Sequence, residues 1–254
     1  MGQVGRLIAE SARQWQLSSK AAAWLFWIPL VGAVAMAAAR LSKETFRFFL
    51  REDGVLEWAQ FVCFAVACLA GAGVAWYRFA AGHRWQAALF ALFTLAMLFV
   101  TGEEIAWGQR VLDLETPECL DMVNKQNEIT LHNIGSTLSV LNLIMLLGSA
   151  WAASACLINK GLRLERIWAE ADYLFVPPFF LASSFLVVFG YQLVRHVLLP
   201  RSGFTVTRYG EWSEFCLAFG IAVFVVLNYR RLARQHDPRP TSIEPEVEAD
   251  REVT

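Results

Sequence analysis

Charge is what this sequence has least of. Of its 254 residues only 18% are Asp, Glu, Lys or Arg, while 56% are hydrophobic; an ordinary soluble domain carries about 25% charged residues. The formal net charge is −1, and no basic patch with interleaved aromatics occurs, so nothing points to a nucleic-acid partner. Cys63, Cys68, Cys156 and Cys216 fall in apolar runs and only Cys119 lies in a polar loop, which leaves neither a disulfide framework nor a CxxC metal pair. HExxH, a repeated ExxH pair, GxSxG and a glycine-rich phosphate loop are all missing, which removes the familiar zinc, di-iron, serine-hydrolase and nucleotide-binding patterns. The order of basic region, short apolar run and small-residue cleavage site is absent too, so the first apolar run is expected to stay as a membrane anchor. Internal repeats and a separate soluble domain are also lacking.

What is present is a series of long apolar blocks. They predict an all-α, polytopic transmembrane bundle of about six spans, near 21–39, 56–77, 86–105, 128–158, 173–193 and 211–228. Residues 1–236 form the membrane domain, and the acidic, proline-bearing tail 237–254 has too few apolar residues to fold. Residues 3–16 place Val4, Leu7, Ile8, Ser11 and Trp15 on one face with Arg6, Glu10 and Arg13 elsewhere, the pattern of an amphipathic helix lying in the interface. Pro29 is expected to kink the first span, and Pro177 and Pro178 are tolerated in the opening turns of the fifth. Thr116-Pro117-Glu118 reads as an N-cap followed by a short surface helix. At Phe204-Thr205-Val206-Thr207 there is strand-like alternation, too short to assign. The tryptophans are expected to anchor the membrane interfaces.

Six spans put both termini on one side. Lys and Arg up to Arg239 number twelve on that side and nine on the other, a bias that places the termini in the cytoplasm of a cell with this protein in its inner membrane.

The span count has a second consequence. Glu57 opens span two, Glu103 and Glu104 close span three, Glu128 and His132 open span four, and Glu211 and Glu214 open span six. All therefore fall at one membrane face, the periplasmic one, with His196 just past span five. Adjacent carboxylates at a bilayer edge are costly unless hydrated, paired or bound to a cation. Helical spacing places Glu57, Gln60, Phe64, Cys68 and Gly71 on one stripe, and Glu128, His132, Ser136, Ser139 and Asn142 on another. If the third helix persists through Gly102, Glu104 points inward and Glu103 away; if Gly102 breaks it, both can converge.

Glu128 and His132, four apart on a helix, can ligate one ion, with Glu57, Glu104, Glu211 and Glu214 available to complete the shell. Oxygen-rich sites suit magnesium, calcium or manganese, and imidazole admits zinc or iron. Glu103, Glu104, Glu128 and His132 are the candidate catalytic groups, and Trp107, Gln109, Arg110, Asn133 and Arg208 the polar surroundings. The plain alternative is that these acids are interfacial helix caps favoured by the helix dipole, neutralised by Arg110, Lys125, Arg195 and Arg208.

The segments Gly102-Glu-Glu-Ile-Ala-Trp-Gly-Gln-Arg110, Thr116-Pro-Glu118 and Asn127-Glu-Ile-Thr-Leu-His-Asn133 resemble a family of uncharacterised bacterial multi-pass membrane proteins with a GEEISWGQ-type signature and a downstream LHN. Ala106 departs from the serine of that signature. The resemblance implies location and class, with no activity to carry over. It also implies that Glu103, Glu104, Trp107, Gln109, Glu128, His132 and Asn133 belong to one site.

Three functions are compatible with this pattern. The first is a membrane hydrolase or transferase using a divalent metal on a lipid or lipid-linked substrate. The second is an ion- or proton-coupled transporter. The third is a non-enzymatic membrane assembly or binding subunit.

Overall fold

The computed structural model describes residues 2–39, 42–50, 54–112, 115–117, 129–130, 135–162, 172–199 and 203–236. Among them every regular element is helical. Six helices are long and apolar enough to cross a membrane: Ser19–Ala39, Val55–Ala80, Arg84–Glu104, Ser139–Gly161, Tyr173–Leu198 and Val206–His236. These are spans one to six, and the chain is a multi-pass helical membrane protein.

Span two is the hinge of the packing, lying against span three on one side and span six on the other. Span five joins span six to spans one and four. The stripe on span two faces inward: Gln60, Phe64 and Gly71 are buried. Its lipid side presents Trp58, Val62, Leu69 and Trp76 to the exterior. An apolar side chain gains nothing by leaving lipid for the bundle, so small residues and polar contacts decide which faces meet. Span six reads span one in this way. Trp212 Nε1 donates to the Pro29 carbonyl at 3.2 Å and Tyr209 Oη to the Ala33 carbonyl at 2.8 Å, two acceptors one turn apart. A Cβ on Gly32 would collide with the Trp212 ring. Trp212, only 7% exposed, is thus a packing residue, whereas Trp24, Trp27, Trp85 and Trp151 do face outward.

Several local expectations change. The N-terminal helix, Gln3–Gln14, is docked onto the bundle: Ile8, Ser11 and Ala12 are buried, and Ser11 Oγ accepts from the Phe179 backbone N–H at 3.0 Å. That acceptor meets a donor freed by Pro177 and Pro178, which interrupt span five after the short helix Asp172–Phe175. The alternation at 204–207 belongs to a helical turn, Phe204–Arg208; threonine and valine alternate there by chance of composition and tolerate the helix. The described part of the fourth span's helix is Gly135–Leu162, and Ile129 and Thr130 ahead of it are non-helical. Glu128, His132, Asn133, Lys125, the surface helix expected after Pro117 and the tail 237–254 lie outside the described residues, as does the side chain of Arg110.

Candidate functional site

The third span runs unbroken through Gly102 and ends at Glu104. Its two terminal carboxylates then part, as neighbours on a helix must. Glu103 is buried, 4% exposed, and accepts a hydrogen bond from Trp107 Nε1 at 2.7 Å. Glu104 turns toward spans two and six.

What reverses the chain after Glu104 is a run of left-handed backbone: Ala106 (φ 46°), Trp107 (φ 53°) and Gly108 (φ 79°). Only glycine adopts that conformation freely, and a bulky residue there is strained. The turn is held by its side chains. The Trp107 ring lies over Gly102, where a Cβ would sit 2.8 Å from it, and meets Phe99 edge to face at 5.6 Å. Gln109, next in line, is a clamp: its Nε2 donates to Thr116 Oγ1 at 2.7 Å and its Oε1 accepts from the Ile129 N–H at 2.7 Å. One amide thus ties the end of span three to two separate stretches of the following loop.

Glu57 lies in the first turn of span two and Glu211 in that of the helix Gly210–His236, with Glu214 one turn on. The charge on Glu104 is opposed by those of Glu57, Glu211 and Glu103, and the charge on Glu214 by those of Glu211, Glu104 and Glu57. Carboxylates from three helix ends therefore share one electrostatic neighbourhood. Glu57, Glu104 and Glu211 are half-buried. Glu214 is exposed, so the group is open on one side and is not a sealed core. The helix dipoles favour Glu57 and Glu211, at N-terminal turns, and disfavour Glu104, at a C-terminus. Interfacial capping therefore accounts for the first two acids and not for Glu104. Gln60 Nε2 donates to the Glu211 carbonyl at 3.0 Å, which locks spans two and six together just beneath the group.

Among the described residues no three His, Cys, Asp or Glu side chains are close enough to share a metal ion, so the four acids form a looser set than a finished ligand shell. Arg208 is half-buried at the end of the short helix Phe204–Arg208, ahead of the helix Gly210–His236.

One site residue escaped the reading of the sequence, Tyr191, and Arg195 beside it was foreseen only as a charge that could neutralise the acids. Tyr191, on span five, lies within reach of the charges on Glu214 and Glu211, and Arg195 hydrogen-bonds to its phenol. Tyr191 Oη also donates to the Thr207 carbonyl at 3.3 Å. Gly210 leaves room for that phenol, since a Cβ there would sit 2.8 Å from it. Arg195 and the exposed His196 stand in a π-helical turn, Leu193–Leu198, a wider coil that recurs at functional positions in helices. The four-residue spacing of Tyr191 and Arg195 was the available signal.

Comparison with protein-family models, with curated proteins and with solved structures finds no match to this chain.

Proposed function

We propose that this is a bacterial inner-membrane protein with cytoplasmic termini, and that its carboxylate groove takes up a divalent cation to act on a lipid or lipid-linked substrate as a hydrolase or transferase. The observation that carries the reading is the mutual exposure of Glu57, Glu104, Glu211 and Glu214 to one another's charge. Carboxylates grouped in this way are expensive unless a cation or shared protons compensate them. The groove lies at the ends of spans two, three and six, where a substrate can keep its tail in the bilayer and offer its polar group to the acids. Glu57, Glu104 and Glu214, with Glu128 and His132 as further candidates, would hold the cation. A bound divalent cation would polarise a phosphoryl or carbonyl oxygen. Of this chain's own groups, Arg195 offers donors for an anionic substrate oxygen, and a carboxylate not occupied by the cation would take the proton from water or a hydroxyl. Elemental analysis of the purified protein tests this: a divalent metal should be present and should fall with Glu104→Gln, Glu214→Gln or His132→Ala. Well-folded wild-type protein that takes up no divalent metal would exclude the reading.

A second reading, an ion- or proton-coupled carrier, draws on a different observation. Ser183, Ser184 and Gln192 on span five and Ser213 on span six are buried, and each has a side-chain oxygen with no hydrogen-bond partner among the described residues. Such atoms inside a bundle offer a polar track inward from the groove. Ion-gradient-driven flux in sealed proteoliposomes, abolished by Glu214→Gln, would select this reading over the enzymatic one.

A further inference from the structure

At the other end of the bundle, where the N-terminal helix meets the end of span six, a second polar site is built from basic residues. A cavity of about 90 Å³ is lined by Gln14, Trp15, Gln16, Arg230, Arg231 and Arg234 among others, and among the described residues no acidic side chain belongs to its wall. Its shape is held in place. Gln16 takes a left-handed conformation (φ 53°) at the end of the N-terminal helix, and its Oε1 accepts from Arg234 Nη1 at 2.7 Å. Arg231 stacks on Tyr173 with its guanidinium carbon 3.3 Å from the ring centroid, while its Nη1 is enclosed with no partner among the described residues. Three guanidiniums around one small cavity repel each other, and an enclosed, unpaired donor is costly. An anion in the cavity would relieve both.

A groove of about 410 Å³ adjoins this cavity, sharing Gln14 and Trp15 as walls. Its other lining includes Leu157, Val176, Pro177 and Phe179. The charged pair that also lines it, Lys160 and Glu10, is self-compensated at 2.8 Å. A basic cavity beside a groove of mixed lining, polar along one part and apolar along Leu157, Val176, Pro177 and Phe179, is the complement of an amphiphile with an anionic head. It lies at the arginine-bearing end of span six, where cytoplasmic leaflets present anionic lipid.

We propose that these two cavities bind one anionic phospholipid, with its phosphate against Arg230, Arg231 and Arg234 and an acyl chain in the adjoining groove. The site is independent of the carboxylate groove. Native mass spectrometry of the full-length, detergent-purified protein tests it, with dioleoyl phosphatidylglycerol and dioleoyl phosphatidylcholine as probes. The wild type should retain one phosphatidylglycerol in preference to phosphatidylcholine. The double variant Arg230→Gln/Arg234→Gln should bind phosphatidylglycerol roughly 30-fold more weakly, given the usual contribution of each basic residue to anionic-lipid binding. If that variant does not fold, Arg230→Gln alone, at an exposed position, should weaken binding about five-fold. Equal retention of the two lipids, or phosphatidylglycerol binding unchanged in the variants, overturns the proposal. Inorganic phosphate raising the melting temperature as much as phosphatidylglycerol does would assign the cavity to a free anion and also overturn it.

Discussion

Trp107 and Glu103 are joined by a 2.7 Å hydrogen bond from indole Nε1 to carboxylate Oε1, across the strained turn that ends span three. The bond does two things at once. It satisfies an acid that is almost fully buried, and it holds a bulky residue at φ 53°, where it would not stay unaided. Glu103 is thereby committed to architecture and Glu104 is left to face spans two and six.

Trp107→Phe keeps the ring over Gly102 but removes the donor. Removing a hydrogen-bond donor from a buried carboxylate costs about 1–3 kcal/mol, so chemical denaturation in detergent should show a loss in that range. Glu103→Gln, which retains an acceptor, should cost less. Equal stability of Trp107→Phe and the wild type would show that the bond does not hold the turn.

Gly102→Ala puts a methyl group against the Trp107 ring, 2.8 Å from its nearest carbon. Overpacking of this kind costs typically 1–3 kcal/mol. Pairing the substitution with Trp107→Ala should recover much of that loss, and a double-mutant cycle without coupling would contradict the contact.

The clamp at Gln109 makes a prediction for dynamics. Gln109→Ala deletes the acceptor of the Ile129 amide and the donor to Thr116. Amide exchange at Ile129 should accelerate, by about ten-fold if the bond contributes some 1.4 kcal/mol, with the spans unaffected. Unchanged exchange at Ile129 would mean that the loop is held elsewhere.

Topology is open to chemical labelling. Gly82, in the turn between spans two and three, and Thr116, after span three, lie at opposite ends of span three. Cysteines introduced at these positions in a variant lacking the native cysteines should react with a membrane-impermeant maleimide from opposite sides, Thr116→Cys from outside the cell. Labelling of both from one side would break the span count on which the shared face rests.

Much of this architecture was legible in the residues because apolar length and helical spacing are strong local signals. The stripe from Glu57 to Gly71 on span two is one example: the same three-to-four spacing that defines it in the sequence buries Gln60 and Phe64. The divergence of Glu103 and Glu104 also follows from helical geometry once the helix passes Gly102. The turn at Ala106 and Trp107 was not legible, since neither residue favours left-handed backbone and only the contacts with Gly102, Phe99 and Glu103 make it tenable. The docking of the N-terminal helix was hidden for a similar reason. An amphipathic face looks the same whether it will meet lipid or protein, and the donor that fixes it, the Phe179 N–H, is 168 residues away. Tyr191 was obscured by its setting at the end of an apolar run, where it reads as an interface residue, while Arg195 was legible only as a charge that could neutralise the acids.

The central claim is that Glu57, Glu104, Glu211 and Glu214 form one cation-responsive unit, and thermal unfolding of the purified protein in EDTA and then with magnesium, manganese, calcium or zinc tests it most directly. In EDTA at alkaline pH, where the acids carry charge, Glu104→Gln and Glu214→Gln should each melt above the wild type, because removing one like charge relieves the others. A divalent cation should raise the wild-type melting temperature by an amount that grows with concentration, and the response should be largely lost in both variants. A wild type indifferent to all four cations, with variants that melt where it does, would contradict the account.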